Sequence, residues 1–418
     1  MLKNSFLIVL IQATGIIFAM LSVYFVAGDM GPEIYSLRGI QAIVAGIILT
    51  FSHLGVETTM MREALYWKEQ GEEEKVKEYA TQSILSRLLG FLLLAPFVII
   101  YLMFINFSKY DGVYTWLFIL FFIGACISAL NDSMSLIVRS EGGYVFSQFV
   151  KTLNADVISG LAILVYIKWG AQVYLTFFAL SSIPVLFIFG FRLKQIFSFK
   201  YLKLRPTITK IRESKFLWMR SYLDYFKGSA DSLLISVFFP PAIIGTYTIY
   251  KTLENMAKSF IEGFFDVLSQ RAVKFKGQME KLVAEERKYN YVRLAVITLV
   301  VLAGFFFALS PDFYINLANL SKYENMAMIV YAVLLVSIIY LLGKYEINFV
   351  SLFASSKTTF YIGIAGFILT IISYMSLIIL PSIEGALLQR LISWTGASVI
   401  SIFVFRLHRI EYYTHINK

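Results

Sequence analysis

Runs of about twenty mainly apolar residues recur along the whole chain, separated by short polar breaks, as expected of helices that each cross a bilayer. Twelve such spans can be drawn, at 6–27, 37–58, 84–105, 115–138, 152–168, 172–191, 218–238, 244–268, 291–309, 325–343, 359–380 and 385–405. In hydrocarbon a segment must satisfy its own backbone hydrogen bonds, so the pattern predicts an all-α polytopic membrane protein. The longest polar break falls between spans six and seven. It divides the chain into a six-helix bundle at 1–191, a basic linker at 192–217, a second six-helix bundle at 218–405 and a tail at 406–418. Two more breaks, Gly71 to Glu78 and Gln278 to Asn290, mix acids and bases at helical spacing and predict charged, solvated helices. The first apolar run, from about Phe6, is longer than a signal-peptide core and lacks a clear small-residue cleavage site, so it reads as a retained helix.

One hairpin departs from this pattern. Between Trp218 and Asp266, two apolar helices joined by Phe238-Phe239-Pro240-Pro241 both carry charge. The first holds Asp224, Lys227 and Asp231; the second holds Lys251, Glu254, Lys258, Glu262 and Asp266. With about 100° per residue, the first set spans an arc of about 60° and the second about 120°. A charge facing lipid at the bilayer centre costs about 2.5–3.5 kcal/mol. The charged stripes are therefore expected to face each other, other helices or water.

Composition agrees with a membrane protein: 58% of the 418 residues are hydrophobic and 15% charged, with a mean hydropathy of +0.71. Soluble domains are about 45–50% apolar. The net charge of +10 is explained by topology rather than by nucleic-acid binding, because Lys and Arg collect in cytoplasmic loops. Only Lys109, Lys168 and Lys322 fall in the opposite loops, which places both termini on the cytoplasmic side of a multi-pass protein. The linker, with Lys194, Lys200, Lys203, Arg205, Lys210, Arg212 and Lys215, is expected to lie on the inner leaflet and attract anionic headgroups.

Several chemistries lack their residues. Cys126 is the single cysteine, so no internal disulfide or Cys-based metal site is expected. No G-x-x-x-x-G-K-S/T, H-E-x-x-H or G-x-S-x-G motif occurs, which argues against ATP hydrolysis, zinc proteolysis and serine hydrolysis. His53, four residues before Glu57, reads mainly as an interfacial structural pair. No catalytic residue or cofactor is expected, and transport is favoured over catalysis.

The intramembrane cations remain. Lys227 and Lys258 fall near mid-span, Lys251 and Arg390 in the outer third, and Arg38 and Arg87 at span ends. A ladder of this kind suits an anion moving through apolar surroundings, since phosphate and carboxylate take charge-assisted hydrogen bonds from Arg and Lys. The competing reading is that each cation neutralises an acid, as Lys227–Asp231 and Glu254–Lys258 could at i,i+4. Arg38, Arg87, Lys251, Lys258 and Arg390 are the substrate-binding candidates. Asp132, Asp224, Lys227, Asp231, Glu254 and Glu262 are the ion-coupling or charge-balancing ones, with Asp156 and Glu346 among the other intramembrane acids. A proton or sodium gradient could be coupled through the acids, and the residues do not choose between the two.

The two halves look related. Gly31-Pro32-Glu33-Ile34-Tyr35-Ser36-Leu37 joins spans one and two, and Pro240-Pro241-Ala242-Ile243-Ile244-Gly245-Thr246-Tyr247 joins spans seven and eight. About 25 residues after each turn comes an inside arginine, Arg62 or Arg271, the arrangement of a parallel repeat. These segments, with Leu54-Gly55-Val56-Glu57-Thr58-Thr59-Met60-Met61-Arg62, resemble the motifs of Wzx-type O-antigen and polysaccharide repeat-unit flippases. Those proteins belong to the multidrug/oligosaccharidyl-lipid/polysaccharide exporter (MOP) superfamily. Ser36 departs from the usual glycine of the first motif, and spans seven and eight are unusually rich in charge.

The resemblance implies twelve transmembrane helices in two six-helix bundles around a central cavity, as in MATE transporters. It implies translocation of an undecaprenyl-pyrophosphate-linked oligosaccharide across the bacterial inner membrane by ion-coupled alternating access. It also admits a polysaccharide polymerase and a chain-length regulator as partners beside membrane lipids. A MATE-type multidrug exporter is the first alternative, although cationic drugs would favour acids over cations. A membrane polymerase or ligase is the second; such an enzyme needs a sizeable outside loop, and these outside loops hold a dozen residues or fewer.

Overall fold

The computed structural model describes residues 14–140, 144–194, 196–274, 279–353 and 356–414. Among them the chain is helical throughout, with no strand. In order the helices are α1 (Thr14–Phe51), α2 (Val56–Glu69), α3 (Glu73–Tyr110), α4 (Thr115–Ser140), α5 (Tyr144–Leu180) and α6 (Ile183–Leu193). They continue with α7 (Leu204–Glu213), α8 (Lys215–Gly228), α9 (Ala230–Phe238), α10 (Pro241–Lys274) and α11 (Met279–Leu309). The last are α12 (Pro311–Leu317), α13 (Met326–Phe353), α14 (Ser356–Ser373), α15 (Met375–Ile379) and α16 (Ile383–Thr414).

Eight stretches among the described residues are long and apolar enough to cross a membrane, including Thr14–Phe51 and Gly160–Leu193, which each cover two of the spans drawn from sequence. The two spans left out are the arms of the charged hairpin. The first arm is divided at Ser229 into α8 and α9, each shorter than a bilayer crossing requires. The second, α10, is long enough but carries Lys251, Glu254 and Lys258. Residues 73–78 and 279–290 of the charged breaks supply the first turns of α3 and α11, so those helices continue out of the apolar region.

The chain forms two compact units, one from Ile34 to Pro241 and one combining the chain up to Glu33 with the chain from Ala242. The first span thus groups with the second half, and the seventh with the first. Within the 34–241 unit, Met60, Ala64 and Trp67 of α2 pack with Val76 and Ala80 of α3, Ile137 and Val138 of α4, and Val185 and Phe189 of α6. In the other, Leu282, Tyr289 and Val296 of α11 pack with Tyr340, Tyr345 and Phe349 of α13 and Phe405 of α16. Large apolar side chains also point outward, among them Leu92, Phe97 and Ile100 of α3 and Leu294, Leu299 and Phe305 of α11. That distribution is stable in lipid and costly in water.

The motif turns have physical reasons. Within the unit that contains both, α1 breaks at Gly31, ahead of Pro32, whose ring cannot continue the preceding ladder. The Pro32 carbonyl lies against Gly245 at the start of α10, so closely that a Cβ on Gly245 would collide with it. The same stretch of α1 is tied to the turn before α13. Tyr323 donates its hydroxyl to the Ala27 carbonyl at 2.7 Å, and Lys322 donates to the Asp29 carbonyl at 2.9 Å.

Gly245→Val is expected to destabilise the protein by about 1–3 kcal/mol through overpacking. Gly190→Ala, where an added methyl meets open space, should be near neutral. Thermal unfolding of both variants in detergent checks the contrast.

Candidate functional site

The unit containing α10 and α16 gathers charge around one carboxylate. On α10, Lys251, Glu254 and Lys258 fall at i, i+3 and i+7, one face of a helix. Arg390 and Trp394 share a face of α16 at i and i+4. Arg390 Nε donates to both Glu254 oxygens, at 3.0 and 3.2 Å. Trp394 Nε1 donates to Oε1 at 2.9 Å, and Lys258 Nζ also donates to Oε1. Lys251 Nζ stands 3.8 Å from Oε2. Among the described residues, three cations therefore converge on one anion.

Burial separates the members. The side chains of Glu254 and Arg390 are 1% and 3% exposed, whereas those of Lys251 and Lys258 keep 16% and 13%. Arg390–Glu254 is the enclosed pair, and the two lysines reach its edge. Aromatic rings line that edge. Lys258 Nζ lies 4.0 Å from the Trp394 ring centroid and 5.8 Å from that of Tyr340. Lys251 Nζ lies 6.0 Å from the Tyr247 ring centroid. A ring face attracts a desolvated cation electrostatically. Ammonium groups and ring faces thus share the edge of the enclosed pair.

The 34–241 unit holds a second buried ion pair of a different kind. Arg87 of α3 is fully buried. Its Nε and Nη2 donate to the two oxygens of Glu57 at 2.9 and 2.6 Å. Nη1 donates to the Leu49 carbonyl at 2.6 Å and to Ser52 Oγ at 3.0 Å, while Nε also reaches Ser133 Oγ at 2.8 Å. Ser133 donates onward to Glu57 Oε1 at 2.7 Å. Glu57 arrives here because the chain breaks between α1 and α2, where Gly55 takes a left-handed φ of 82°. His53, in the same break, has Nε2 3.7 Å from Glu57 and 3.0 Å from Thr58 Oγ1. Arg87, a substrate candidate by sequence, thus has its guanidinium engaged on every nitrogen and clamps α1, α2 and α4 to α3.

The other candidates are dispersed. Arg38 is half-buried, with Nη1 donating to Gln41 Oε1 at 3.1 Å and its guanidinium carbon 3.6 Å from the Phe178 ring centroid. Asp231 is buried in the first turn of α9, where its Oδ1 accepts the Ser232 N–H at 2.7 Å and its charge complements the helix dipole. Asp132 is half-buried on α4, close enough to His53 to interact electrostatically. Glu346 pairs with Arg293 at 3.2 Å. The side chains of Asp224, Lys227 and Glu262, like that of Asp156, lie outside the described residues. Sequence reasoning placed Lys251, Lys258 and Glu254 together but missed Trp394 and the partners of both arginines. Arg390 and Glu254 are 136 residues apart, and no helical spacing connects them.

Removing one member of the Arg87–Glu57 pair strands a buried charge. Arg87→Met and Glu57→Gln are each expected to cost about 3–5 kcal/mol. The double variant should lose less than the sum of the two. Thermal unfolding of the three variants in detergent checks this cycle.

No family model matches the chain, and neither does any curated protein. Solved structures do. An inward-facing multidrug resistance MATE family transporter of the MOP superfamily superposes with a TM-score of 0.69 at 15% identity, over 98% of this chain and 100% of that one. An outward-facing multidrug resistance MATE family transporter of the same superfamily gives 0.64 at 14% identity, over 100% and 96%. A MOP superfamily transporter from Pyrococcus furiosus, described as having a binding pocket of reverse polarity, gives 0.58 at 15%, over 98% and 96%. The chain has the all-helical polytopic fold of MATE transporters of the MOP superfamily.

Proposed function

We propose that this chain is a membrane transporter that translocates an undecaprenyl-pyrophosphate-linked oligosaccharide from the inner to the outer leaflet of a bacterial inner membrane. The observation that carries the reading is the convergence of Lys251, Lys258 and Arg390 on Glu254. Lys251 and Lys258 bind the diphosphate by charge-assisted hydrogen bonds. Glu254, held by Arg390 and Trp394, keeps the lysines from repelling each other while the site is empty. Tyr247, Tyr340 and Trp394 offer ring faces beside the cations. Arg38 and Arg87 take supporting roles, Arg87 through the fixed shape of its own cluster.

Alternating access supplies the movement, and a proton or sodium gradient supplies the free energy. Asp132, Asp231 and Glu254, with Asp224 and Glu262, are the carboxylates that balance charge or exchange the coupling ion, and Lys227 balances its neighbouring acids. The polyprenyl tail stays in lipid throughout.

The fold neighbours favour a second reading, a multidrug exporter. A cationic drug calls for acids in excess, and here, among the described residues, three cations meet one acid. The Pyrococcus furiosus neighbour, whose reversed pocket polarity is described as pointing to a different function, supports the view that this fold accommodates pockets of either sign.

In proteoliposomes, a labelled undecaprenyl-pyrophosphate-linked oligosaccharide is expected to cross the bilayer faster with the protein than without it. Lys251→Gln with Lys258→Gln should slow crossing about tenfold or more, since each hydrogen bond to a charged group contributes about 1.5–3 kcal/mol. Lys258→Arg should retain most of the rate. Gradient-driven extrusion of a cationic dye, with no effect on the oligosaccharide, would establish the multidrug reading instead.

A further inference from the structure

The basic linker is folded, and its amphipathicity is inverted. In α7 the residues turned to the protein are polar. Thr207 and Lys210 are buried, as is Ser214 just beyond. Lys210 donates to Glu78 at 2.9 Å and stands 3.2 Å from the Tyr79 ring centroid. Ser214 meets Thr59 at 2.9 Å. The preceding turn is fastened too, by the Ser198 N–H on Thr81 Oγ1 at 3.0 Å and by the Tyr201 hydroxyl on Glu74. All of these partners lie on α2 and α3, within the unit that also contains the linker.

The apolar residues face away. Leu204 and Ile208, at i and i+4, are 57% and 54% exposed, and Phe199 and Phe216 on either side of α7 are 81% and 63% exposed. Arg205 and Arg212 fall about a quarter turn from this stripe, on the side opposite the docked polar residues. Lys200, Lys203 and Lys215 add further exposed cations along it. An apolar ridge rimmed by cations and fixed by a polar back is unlike a solvated linker. It matches a helix lying in a membrane interface, with side chains among acyl chains and cations at headgroup level.

We propose that Phe199 to Phe216 is a docking surface for anionic phospholipid of the inner leaflet. Leu204, Ile208 and Phe199 insert below the headgroups, and Lys203, Arg205 and Arg212 bind their phosphates. The Lys210–Glu78 contact transmits that attachment to α3. Burial draws the Lys210 ammonium below its usual range, against the pull of Glu78.

The test uses the full chain with Cys126→Ser and Ile208→Cys, labelled with an environment-sensitive fluorophore. It is reconstituted at low protein density into vesicles of phosphatidylcholine alone or with added phosphatidylglycerol. The expected result is a blue shift and loss of quenching by an aqueous quencher in the phosphatidylglycerol vesicles. Both should be reduced by Lys203→Gln/Arg205→Gln/Arg212→Gln and by high salt. A label quenched equally from water in both vesicle types overturns the proposal, as does protection independent of headgroup charge. Protection that appears only as protein density rises identifies a second copy as the occupant and overturns it as well.

Discussion

A charge buried among apolar helices must find an opposite charge or enough hydrogen bonds, because the low dielectric makes an isolated ion far more costly than in water. Glu57 and Glu254 are where this protein meets that requirement, and the two solutions differ. Around Glu57 a single arginine has all its nitrogens engaged, and two serines and a backbone carbonyl complete the set. The site is closed, and its effect is mechanical. Around Glu254 an arginine and an indole satisfy the carboxylate, yet two lysines still converge on it. Among the described residues that site brings three cations to one acid, whereas Arg87 and Glu57 meet one to one.

Much of the fold was legible because a membrane reduces the choices. Apolar runs of bilayer length must be helices, and the positions of Pro32 and Pro241 mark turns whichever neighbours surround them. The charged arms were recognised as exceptional from helical spacing alone. In α10 that spacing placed Lys251, Glu254 and Lys258 on one face, where the structure has them. What remained hidden depends on contacts between distant segments. The acids of its own helix, Glu384 and Glu411, lie more than a turn from Arg390, and its partner comes from α10. Arg87 sits at the inner end of a span, where a snorkelling side chain was an equally good expectation, and only the break at Gly55 brings Glu57 to it. Inverted amphipathicity in α7 was hidden for a related reason: which face of a helix is docked depends on Glu78 and Thr59, not on its own pattern.

The linker and the cation cluster lie in different compact units, and they ask for similar chemistry. One presents exposed cations beside exposed apolar rings, the other half-buried cations beside the buried rings of Tyr247 and Tyr340 and the half-buried ring of Trp394. Both combinations suit an amphiphile with a phosphate head and a hydrocarbon tail.

The contact between Pro32 and Gly245 has a consequence for biogenesis. The stretch of α1 ahead of that proline is held by Gly245, Lys322 and Tyr323, none of which exists when the first helix leaves the ribosome. That helix must wait in the bilayer, stable as a single span but without its native neighbours, until synthesis has passed residue 323. Assembly of its unit is therefore necessarily late, while the 34–241 unit, continuous in the chain, can close before the remainder has been made.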